Sequence, residues 1–458
     1  MTRVLLTAVA LAVFPLNSRA EEALVHLTVR PMPAPKPVLK YQLLPELREL
    51  NPGNAAQNYL KCFMEQRRFF FTKESAAERA HYQTMPLAEL PVDKLLQYGG
   101  FALKQADWAA RLDALDWQTL ERIQNGGMEP LSDELGPLQD LAAALQVRFR
   151  AEVAARHFDA ALCTAKTLFA LARHLGEHPT EVANLVGLWA AHLSLGTLEE
   201  MVQQPGCPNL YWALTDLPCP LVDLRKGVQG DRTLVAAELR SLQDDTPMTE
   251  TEIEELVSHL SGVMGFALEQ SGRPPRNVRA RLQARVQDPE RVRAARQRLI
   301  EAGYGPDPVK TLPPMHVILV DEKRDYEVQR DERMKLLALP LWQIDSLVGG
   351  KELTSEGDGL LVDLLPHIIK LRRTQGQLEQ QIAFLRHVEA LRMYAARHNG
   401  KLPAKLSDVS VPLPIDPVSG KPFVYAVDGA IAHIRGSSVQ AEEKDPRSNV
   451  HYEVTLQK

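Results

Sequence analysis

One short motif in the sequence has the residue types and spacing of a zinc site. His174, Glu177 and His178 read H-x-x-E-H, the inverted zinc-protease pattern, in which both histidines bind the metal and the glutamate acts as the base. Gly176 inside the motif and Pro179 directly after it indicate a helix break, and several glutamates compete as a third ligand: Glu250, Glu252, Glu254 and Glu255. We therefore expect no metal, no cofactor and no catalytic residue, and we interpret the motif as a helix C-terminus whose dipole favours a charged His174. His174 and His178 remain the metal candidates.

A second candidate is a cluster of nine arginines between Arg273 and Arg298, which could bind lipid headgroups, an acidic polymer or nucleic acid. Acidic residues interleave with these arginines. No aromatic residue lies between Phe266 and Tyr304, so base stacking on a nucleic acid is not supported. The favoured alternative is a solvated helix face, because arginine is a good helix former. The arginines retained as anion-binding candidates are Arg279, Arg281, Arg285 and Arg293.

The cysteines offer a third candidate feature. Four cysteines allow three pairings in an oxidising compartment: Cys62, Cys163, Cys207 and Cys219. No C-x-x-C occurs, so neither a thioredoxin-like site nor a zinc knuckle is indicated. The favoured disulfide joins Cys207 to Cys219, which bracket a short loop with several prolines, and the alternative is four buried free thiols. Between them, Tyr211 and Trp212 either line a binding groove or pack in the core, and core packing is favoured.

Composition and charge exclude some classes of protein. Of the 458 residues, 45% are hydrophobic and 24% are charged, which is typical of a globular chain and not of a disordered one. The net charge of −5 argues against a dedicated nucleic-acid binder, so no nucleic-acid partner is expected. No serine-hydrolase elbow, phosphate-binding loop, dinucleotide signature or EF-hand loop occurs. A non-catalytic protein is therefore favoured over an enzyme.

The first twenty residues have the pattern of a signal peptide. Arg3 gives a positive start, residues 4–14 form an uncharged and mostly apolar run, and Ser18 and Ala20 are small residues before a cleavage point. This apolar run would span about 16 Å as a helix, roughly half of a bilayer core, so cleavage is favoured over a membrane anchor. We therefore expect an exported protein, periplasmic or extracellular, whose mature chain has no transmembrane segment.

Hydrophobic periodicity predicts the elements that would position these candidates. The predicted fold class is mainly α, with packed helical hairpins and a small C-terminal α+β element that is a β-hairpin or a three-stranded sheet. Asn54 and Thr180 are predicted helix N-caps, and Asp428-Gly429 predicts a hairpin turn. Predicted helices include residues 103–124, 137–156, 158–175 and 376–398. The predicted organisation is a signal peptide (1–20), a proline-rich extended N-terminal segment (21–53), a helical-hairpin domain (54–303), a linker (304–315), a helical region (316–405) and a small β element (406–458).

The C-terminal block resembles a region of the major pseudopilins of type II secretion. The resemblance runs from Ala390-Leu391-Arg392-Met393-Tyr394 through Asp416-Pro417 to Gly420-Lys421-Pro422-Phe423 and covers roughly residues 388–434, where those proteins pass from helix to sheet. The continuous apolar N-terminal helix of pseudopilins is absent, so pilus assembly is not implied. As a whole the chain is similar to a group of exported bacterial proteins that combine a helical body with this element, and that resemblance implies no activity. From the residues alone, we expect one helix packed on a short twisted sheet.

Three functional hypotheses follow. The favoured one is an exported, non-catalytic helical protein that binds a macromolecule or supports envelope assembly, with an envelope protein or an anionic surface as its partner. The alternatives are an exported hydrolase with an active site assembled from scattered residues, and an accessory component of a secretion system. Zinc at His174 and His178, or a deep pocket with several ionisable side chains, would favour the hydrolase. A shallow groove lined by the arginines or by Tyr211 and Trp212 would favour binding.

Overall fold

The computed structural model describes residues 23–457, apart from residues 65, 127–134, 245, 271–276, 349–358 and 437–448. The predicted signal peptide lies outside the described residues, as do the first two arginines of the arginine cluster. The described part is mainly helical with a small sheet near the C-terminus, which confirms the predicted fold class.

Helices make up most of the described chain. In chain order they are α1 (Ala55–Lys61), α2 (Arg67–Phe71), α3 (Lys73–Thr84), α4 (Val92–Leu95), α5 (Gly100–Ala109), α6 (Thr119–Gly126), α7 (Leu135–Ala154), α8 (Phe158–Gly176), α9 (Glu181–Val202), α10 (Tyr211–Thr215), α11 (Arg225–Glu238), α12 (Glu250–Gln270), α13 (Val278–Val286), α14 (Pro289–Glu301), α15 (Pro306–Thr311), α16 (Pro314–Met334), α17 (Leu341–Val348) and α18 (Ile368–Arg397).

Strands from both ends of the chain share one sheet. The strands are β1 (Ala23–Val29), β2 (Asn51–Asn54), β3 (Leu112–Ala114), β4 (Val424–Asp428), β5 (Ile431–Arg435) and β6 (Val450–Leu456). The larger sheet has the order β1-β6-β5-β4, in which β1 is parallel to β6 and the other pairs are antiparallel. The predicted Asp-Gly hairpin is confirmed as β4–β5, and Gly429 in its turn has φ +60°.

The segment over residues 21–53, which the sequence predicts to be proline-rich and extended, contains the strand β1. Alternate side chains of β1 face the core, and Leu27 and Val29 are fully buried. The segment thus has the two-residue periodicity of a half-buried strand. It forms a strand because β6, at the other end of the chain, supplies its partner.

Local capping chemistry sets two predicted helix starts. The Asn54 side chain accepts a hydrogen bond from the backbone N–H of Ala56 (3.1 Å), and the Thr180 side chain accepts one from Ala183 (3.3 Å). Each side chain satisfies a donor that has no partner within the first helical turn. Both predicted N-caps are confirmed. They could be predicted from the sequence because the interactions involve only near neighbours along the chain.

The helix predicted over residues 103–124 is wrong, because the chain leaves α5 and forms β3 before α6 begins. β3 pairs in parallel with β2. The Asn54 side chain fixes the following loop, since its Nδ2 donates to the Asp116 carbonyl (2.7 Å) and its Oδ1 accepts from the Asp116 N–H (3.0 Å). These contacts come from residues far away in sequence, so they override the local helical pattern.

Helices α7, α8 and α9 form the centre of the larger hydrophobic core, as packed hairpins joined by short turns. Gly187 of α9 allows a close approach to α8, because a Cβ there would lie 2.7 Å from the carbonyl oxygen of Ala172. α11 crosses the turn between α8 and α9, where a Cβ at Gly230 would lie 2.0 Å from the carbonyl oxygen of Pro179. These contacts position the H-x-x-E-H motif inside a tightly packed corner.

A second hydrophobic core is built from residues between Val235 and Leu365, chiefly on α12 to α16. The linker expected over residues 304–315 belongs to this core. It contains α15, and Val309 and Leu312 are each only 1% exposed. The Arg296 guanidinium donates to the carbonyl oxygens of both residues, so this segment is fixed to α14.

Helix α18 packs on the C-terminal sheet, as expected for one helix on a short sheet. The Phe384 ring stacks on the Tyr452 ring of β6, with centroids 4.4 Å apart, and contacts the Phe423 ring at 4.8 Å. Near its C-terminal end, the buried Arg392 pairs with Glu389 at 2.7 Å. α18 thus joins the sheet to α9 and to the N-terminal segment.

Candidate functional site

The H-x-x-E-H motif lies at the end of α8, where its histidines contact hydroxyl groups. His174 Nδ1 is 3.0 Å from the hydroxyl oxygen of Tyr59. His178 Nδ1 is 3.0 Å from Thr180 Oγ1, and its Nε2 is 3.4 Å from Thr119 Oγ1. Among the described residues, no cluster with metal-ligand geometry includes either histidine. The motif therefore gives packing and hydrogen bonds at a helix end.

The charge expected on His174 is contradicted. Burial lowers the pKa of His174 to about 4, and burial lowers the pKa of His178 to the same value. Both rings are therefore neutral near pH 7, and the proposed favourable interaction of a charged His174 with the helix dipole does not operate. Glu177 points away from them to Lys226, with 3.3 Å between Oε2 and Nζ.

The four anion-binding candidates are engaged with groups of the protein itself. Arg279 pairs with Glu254 (2.6 Å), and Arg285 pairs with Glu322 (3.3 Å). Arg281 donates to the carbonyl of Gly359 (3.1 Å), and Arg293 pairs with Glu290. The first two contacts hold α13 against α12 and α16, and the three ion pairs offset the charge of the segment. The described part of this segment therefore does not present an open basic face.

Three helices around the arginine segment enclose a cleft of about 600 Å³. Its charged lining residues, from α13, α14 and α16, are Arg285, Arg291, Arg298, Arg324, Asp321, Glu322 and Asp325. Arg298 forms two hydrogen bonds with Asp321 (3.0 and 2.5 Å). Burial raises the pKa of Glu322, which also accepts the Leu360 N–H at 2.6 Å. A carboxyl group with a raised pKa in a cleft is a candidate proton donor.

The expected disulfide between Cys207 and Cys219 is absent. All four cysteines are free thiols, with Cys62 and Cys207 buried and Cys163 and Cys219 exposed. The Cys207 thiol lies in the core and donates to the Pro208 carbonyl at 3.4 Å. Burial raises the pKa of Cys207 to about 12, so this thiol is unreactive.

The two aromatic residues beside this loop do not line an open groove. Tyr211 is fully buried, and its hydroxyl donates to the carbonyl of Pro412. The Trp212 ring lies edge-on to the Tyr211 ring, with centroids 5.1 Å apart. Tyr211 of α10 therefore packs in the core against the segment that follows α18.

The N-terminal helices carry large apolar side chains on their exposed surface. Phe101 and Trp108 of α5 are 57% and 49% exposed, and Lys104 lies between them on the same helical face. Met64 after α1 is 73% exposed, and Phe71 at the end of α2 is 52% exposed. Scattered apolar residues are normal on a surface, but here four large ones lie on, or directly after, helices that are close together in sequence.

Contacts place α1 beside α5, and the end of α2 beside the residues that follow α1. Gln105 of α5 donates from Nε2 to Asn58 Oδ1 of α1 at 3.0 Å. The Phe71 ring is 6.1 Å from the Phe63 ring, which follows α1 directly. We define the aromatic–basic surface as these apolar residues and the exposed basic residues around them: Met64, Phe71, Phe101, Trp108, Lys61, Arg67, Arg68 and Lys104.

The outer face of the larger sheet carries a group with metal-ligand chemistry. His433 of β5 lies opposite Glu453 of β6, and His451 is two residues before Glu453. One ligand atom from each of the three residues lies within 4.8 Å of the other two. His26 of β1 lies on the other side of Glu453 and contacts it at 3.0 Å.

Sequence reasoning missed both of these sites, although each left a signal. The aromatic–basic surface follows from Arg67-Arg68 next to three consecutive phenylalanines, and from Phe101 and Trp108 at helical spacing. The histidine cluster has only His451-x-Glu453, which is uninformative until the strand register is known.

No protein-family model, no curated protein and no solved structure matches this chain.

Proposed function

We propose that this chain is an exported, non-catalytic helical protein that docks on an anionic membrane surface through its aromatic–basic surface. The observation that carries the proposal is the combination of four exposed large apolar side chains with exposed basic side chains around them. Proteins that bind the membrane interface combine aromatic or aliphatic groups that enter the headgroup boundary with lysine and arginine that pair with anionic lipids.

Local charge supports an anionic partner. Between Lys61 and Glu74 the sequence has four basic and two acidic residues, whereas the whole chain has a net charge of −5. Lys104 adds a further positive charge beside this segment. Each such lysine or arginine contributes about 1 kcal/mol near an anionic leaflet. The surface thus suits phosphatidylglycerol-type headgroups better than neutral ones.

The proposed compartment depends on the N-terminal leader. The positive Arg3, the short apolar run over residues 4–14 and the small residues at positions 18 and 20 support export. None of the helices that the structure describes is long and apolar enough to cross a membrane. We propose that the exported chain meets the membrane from the outside, at its surface.

Co-sedimentation of the chain with lipid vesicles tests this proposal. We expect binding to vesicles that contain phosphatidylglycerol, weak binding to pure phosphatidylcholine, and a decrease in affinity as salt rises. The double variant Lys61→Gln/Lys104→Gln should lose about 2 kcal/mol of binding free energy, or roughly thirtyfold in affinity. Lys310→Gln on α15, where the lysine is 70% exposed, is the matched control and should bind as the wild type does.

The apolar part of the surface is tested in the same assay. Phe101→Ser/Trp108→Ser should weaken binding at least fivefold, whereas Leu347→Ser, which replaces a leucine that is 68% exposed on α17, should not. Equal binding to both vesicle types would contradict the proposal. A wild-type dimer that these serine substitutions convert to a monomer would instead make the patch a self-association interface and overturn it.

A hydrolase remains the second candidate function, because the cleft between α13, α14 and α16 gathers ionisable side chains around Glu322. The raised pKa of Glu322 suits a general acid. Hydrolysis of ester, phosphoester or peptide reporters that disappears in Glu322→Gln, but persists in Glu332→Gln on the exposed face of α16, would support this alternative. Absence of hydrolysis in the wild type would remove it.

A further inference from the structure

The outer face of the sheet brings three potential metal ligands to one point. In the antiparallel β5–β6 pair, His433 lies directly opposite Glu453. His451 points to the same face, because alternate residues of a strand share a face. The shared centre is His433 Nδ1, which is 3.1 Å from His451 Nε2 and 3.5 Å from Glu453 Oε1.

From this convergence we propose that His433, His451 and Glu453 form a binding site for a divalent transition-metal ion. The two separations from His433 Nδ1 fit such an ion, because ligands at 2.0–2.1 Å in a tetrahedron lie about 3.3 Å apart, and the third pair lies within 4.8 Å. A hydrogen bond between His433 Nδ1 and His451 Nε2 at 3.1 Å accounts for one of these contacts without a metal. The distance from His433 Nδ1 to the carboxylate oxygen is at the upper limit for a hydrogen bond, and one ring nitrogen faces both partners.

The ligand chemistry defines the class of ion. Two imidazoles and one carboxylate suit zinc, copper or nickel, whereas calcium and magnesium prefer sites made only of oxygen. The side chains of His433 and Glu453 are 28% and 25% exposed, so water can supply a fourth ligand. Arg435 lies across from His451 in the register and is exposed, which places a positive charge beside the site.

A fourth histidine supports the carboxylate ligand. His26 Nδ1 of β1 is 3.0 Å from Glu453 Oε2, the oxygen that does not face His433. Histidines and carboxylates that contact a ligand in this way fix its orientation and increase metal affinity. We therefore assign His26 a positioning role, in which the N-terminal strand β1 supports a site built on β5 and β6. Metal binding would then link three strands of the sheet.

Isothermal titration of the full chain with zinc chloride, with the protein purified without a histidine tag, tests the proposal. We expect one zinc ion per chain with micromolar or tighter affinity, and a rise in the thermal unfolding midpoint with zinc concentration. Cobalt provides a second readout, because a tetrahedral site with nitrogen ligands gives intense visible absorption bands that hydrated cobalt lacks.

Variants assign the binding to the proposed residues. His433→Ala, His451→Ala and Glu453→Gln should each weaken zinc binding at least tenfold, and His26→Ala should weaken it by a smaller factor. His81→Ala, on the exposed surface of α3, is the matched control and should bind zinc as the wild type does. Circular dichroism of each variant reports whether the fold is retained.

Two results would overturn the site. The first is a wild type whose dissociation constant for zinc is hundreds of micromolar or weaker and which gives only the spectrum of octahedral cobalt. This measurement does not depend on whether any variant folds. The second is zinc affinity that the three ligand substitutions leave unchanged. Neither result bears on membrane docking, because the metal site lies on the sheet and the aromatic–basic surface lies on and around α1, α2 and α5.

Discussion

Removal of the Arg392 guanidinium provides the sharpest test of how the two ends of the chain are held together. This side chain is 1% exposed and pairs with Glu389 at 2.7 Å. It also donates to the carbonyls of Cys207 (2.8 Å), Arg30 (3.0 Å) and Pro208 (3.4 Å). One group thus joins α18 to the N-terminal segment and to the loop after α9.

Arg392→Met keeps an apolar stem of similar shape but removes the charge and every donor. Removal of one partner from a buried ion pair costs about 3 to 5 kcal/mol, because the other charge stays buried without compensation. The three backbone carbonyls that lose their hydrogen-bond donor place the expected loss of stability toward the upper end of that range. Arg392→Met/Glu389→Gln should recover about 1 to 2 kcal/mol of this loss, because the uncompensated charge is no longer present.

Urea unfolding followed by tryptophan fluorescence measures the effect. No tryptophan belongs to the described second core, so the signal reports the larger core that contains α18. Arg293→Met is the matched control, because Arg293 and Glu290 are 69% and 78% exposed, and it should change stability by at most about 0.5 kcal/mol. The reasoning is refuted if Arg392→Met costs less than about 1 kcal/mol, or if the double variant is less stable than the single one.

Three further predictions address other parts of the fold. Glu181→Gln should stabilise the protein by about 1 to 3 kcal/mol above pH 7 and not below pH 4.5. Burial raises the pKa of Glu181 to about 7, so the wild-type protein loses stability as this carboxyl ionises in the folded state, and glutamine removes that loss. Urea titrations of variant and wild type at both pH values check this, and the comparison cancels the opposite trend of the buried histidines. Gly230→Ala should cost about 1 to 3 kcal/mol because its Cβ would meet a backbone carbonyl at 2.0 Å, whereas Gly262→Ala on α12, with open space around it, should stabilise by about 0.5 to 1 kcal/mol in the same titration. Iodoacetamide should label Cys163 and Cys219 in the folded protein and the other two cysteines only after unfolding, and an unlabelled Cys219 bridged to a second cysteine in the peptide map would contradict the structure.

Local chemistry made several elements predictable from the sequence. Asn54 and Thr180 cap the helices that they were expected to start, because capping depends on residues two or three positions away. The Asp428-Gly429 turn forms for the same reason, since the dipeptide itself adopts the required backbone geometry. Val450–Leu456 forms a further strand beside the hairpin, so of the two predicted forms of the C-terminal element the one with more than two strands is present.

The remaining features depend on pairings that no local pattern encodes. The strand β1 forms because β6 reaches it, and β3 interrupts a helical pattern because β2 lies beside it. The partners of the arginine segment, such as Glu254 and Glu322, come from other helices. The histidine cluster depends on the register of β5 against β6. In each case the decisive partner lies far away along the chain.

The pairing of β1 with β6 has a consequence for how the chain is made. Ala23 pairs with Val450, more than 400 residues further along the sequence, so β1 is synthesised long before the strand that pairs with it. Until β6 has been synthesised, the apolar side chains of Leu27 and Val29 lack their packing partners. The backbone N–H and C=O groups on one edge of β1 lack hydrogen-bond partners as well. Such an edge is a template for incorrect association. Deletion of β6 would leave this edge and the apolar face of β1 without their partner.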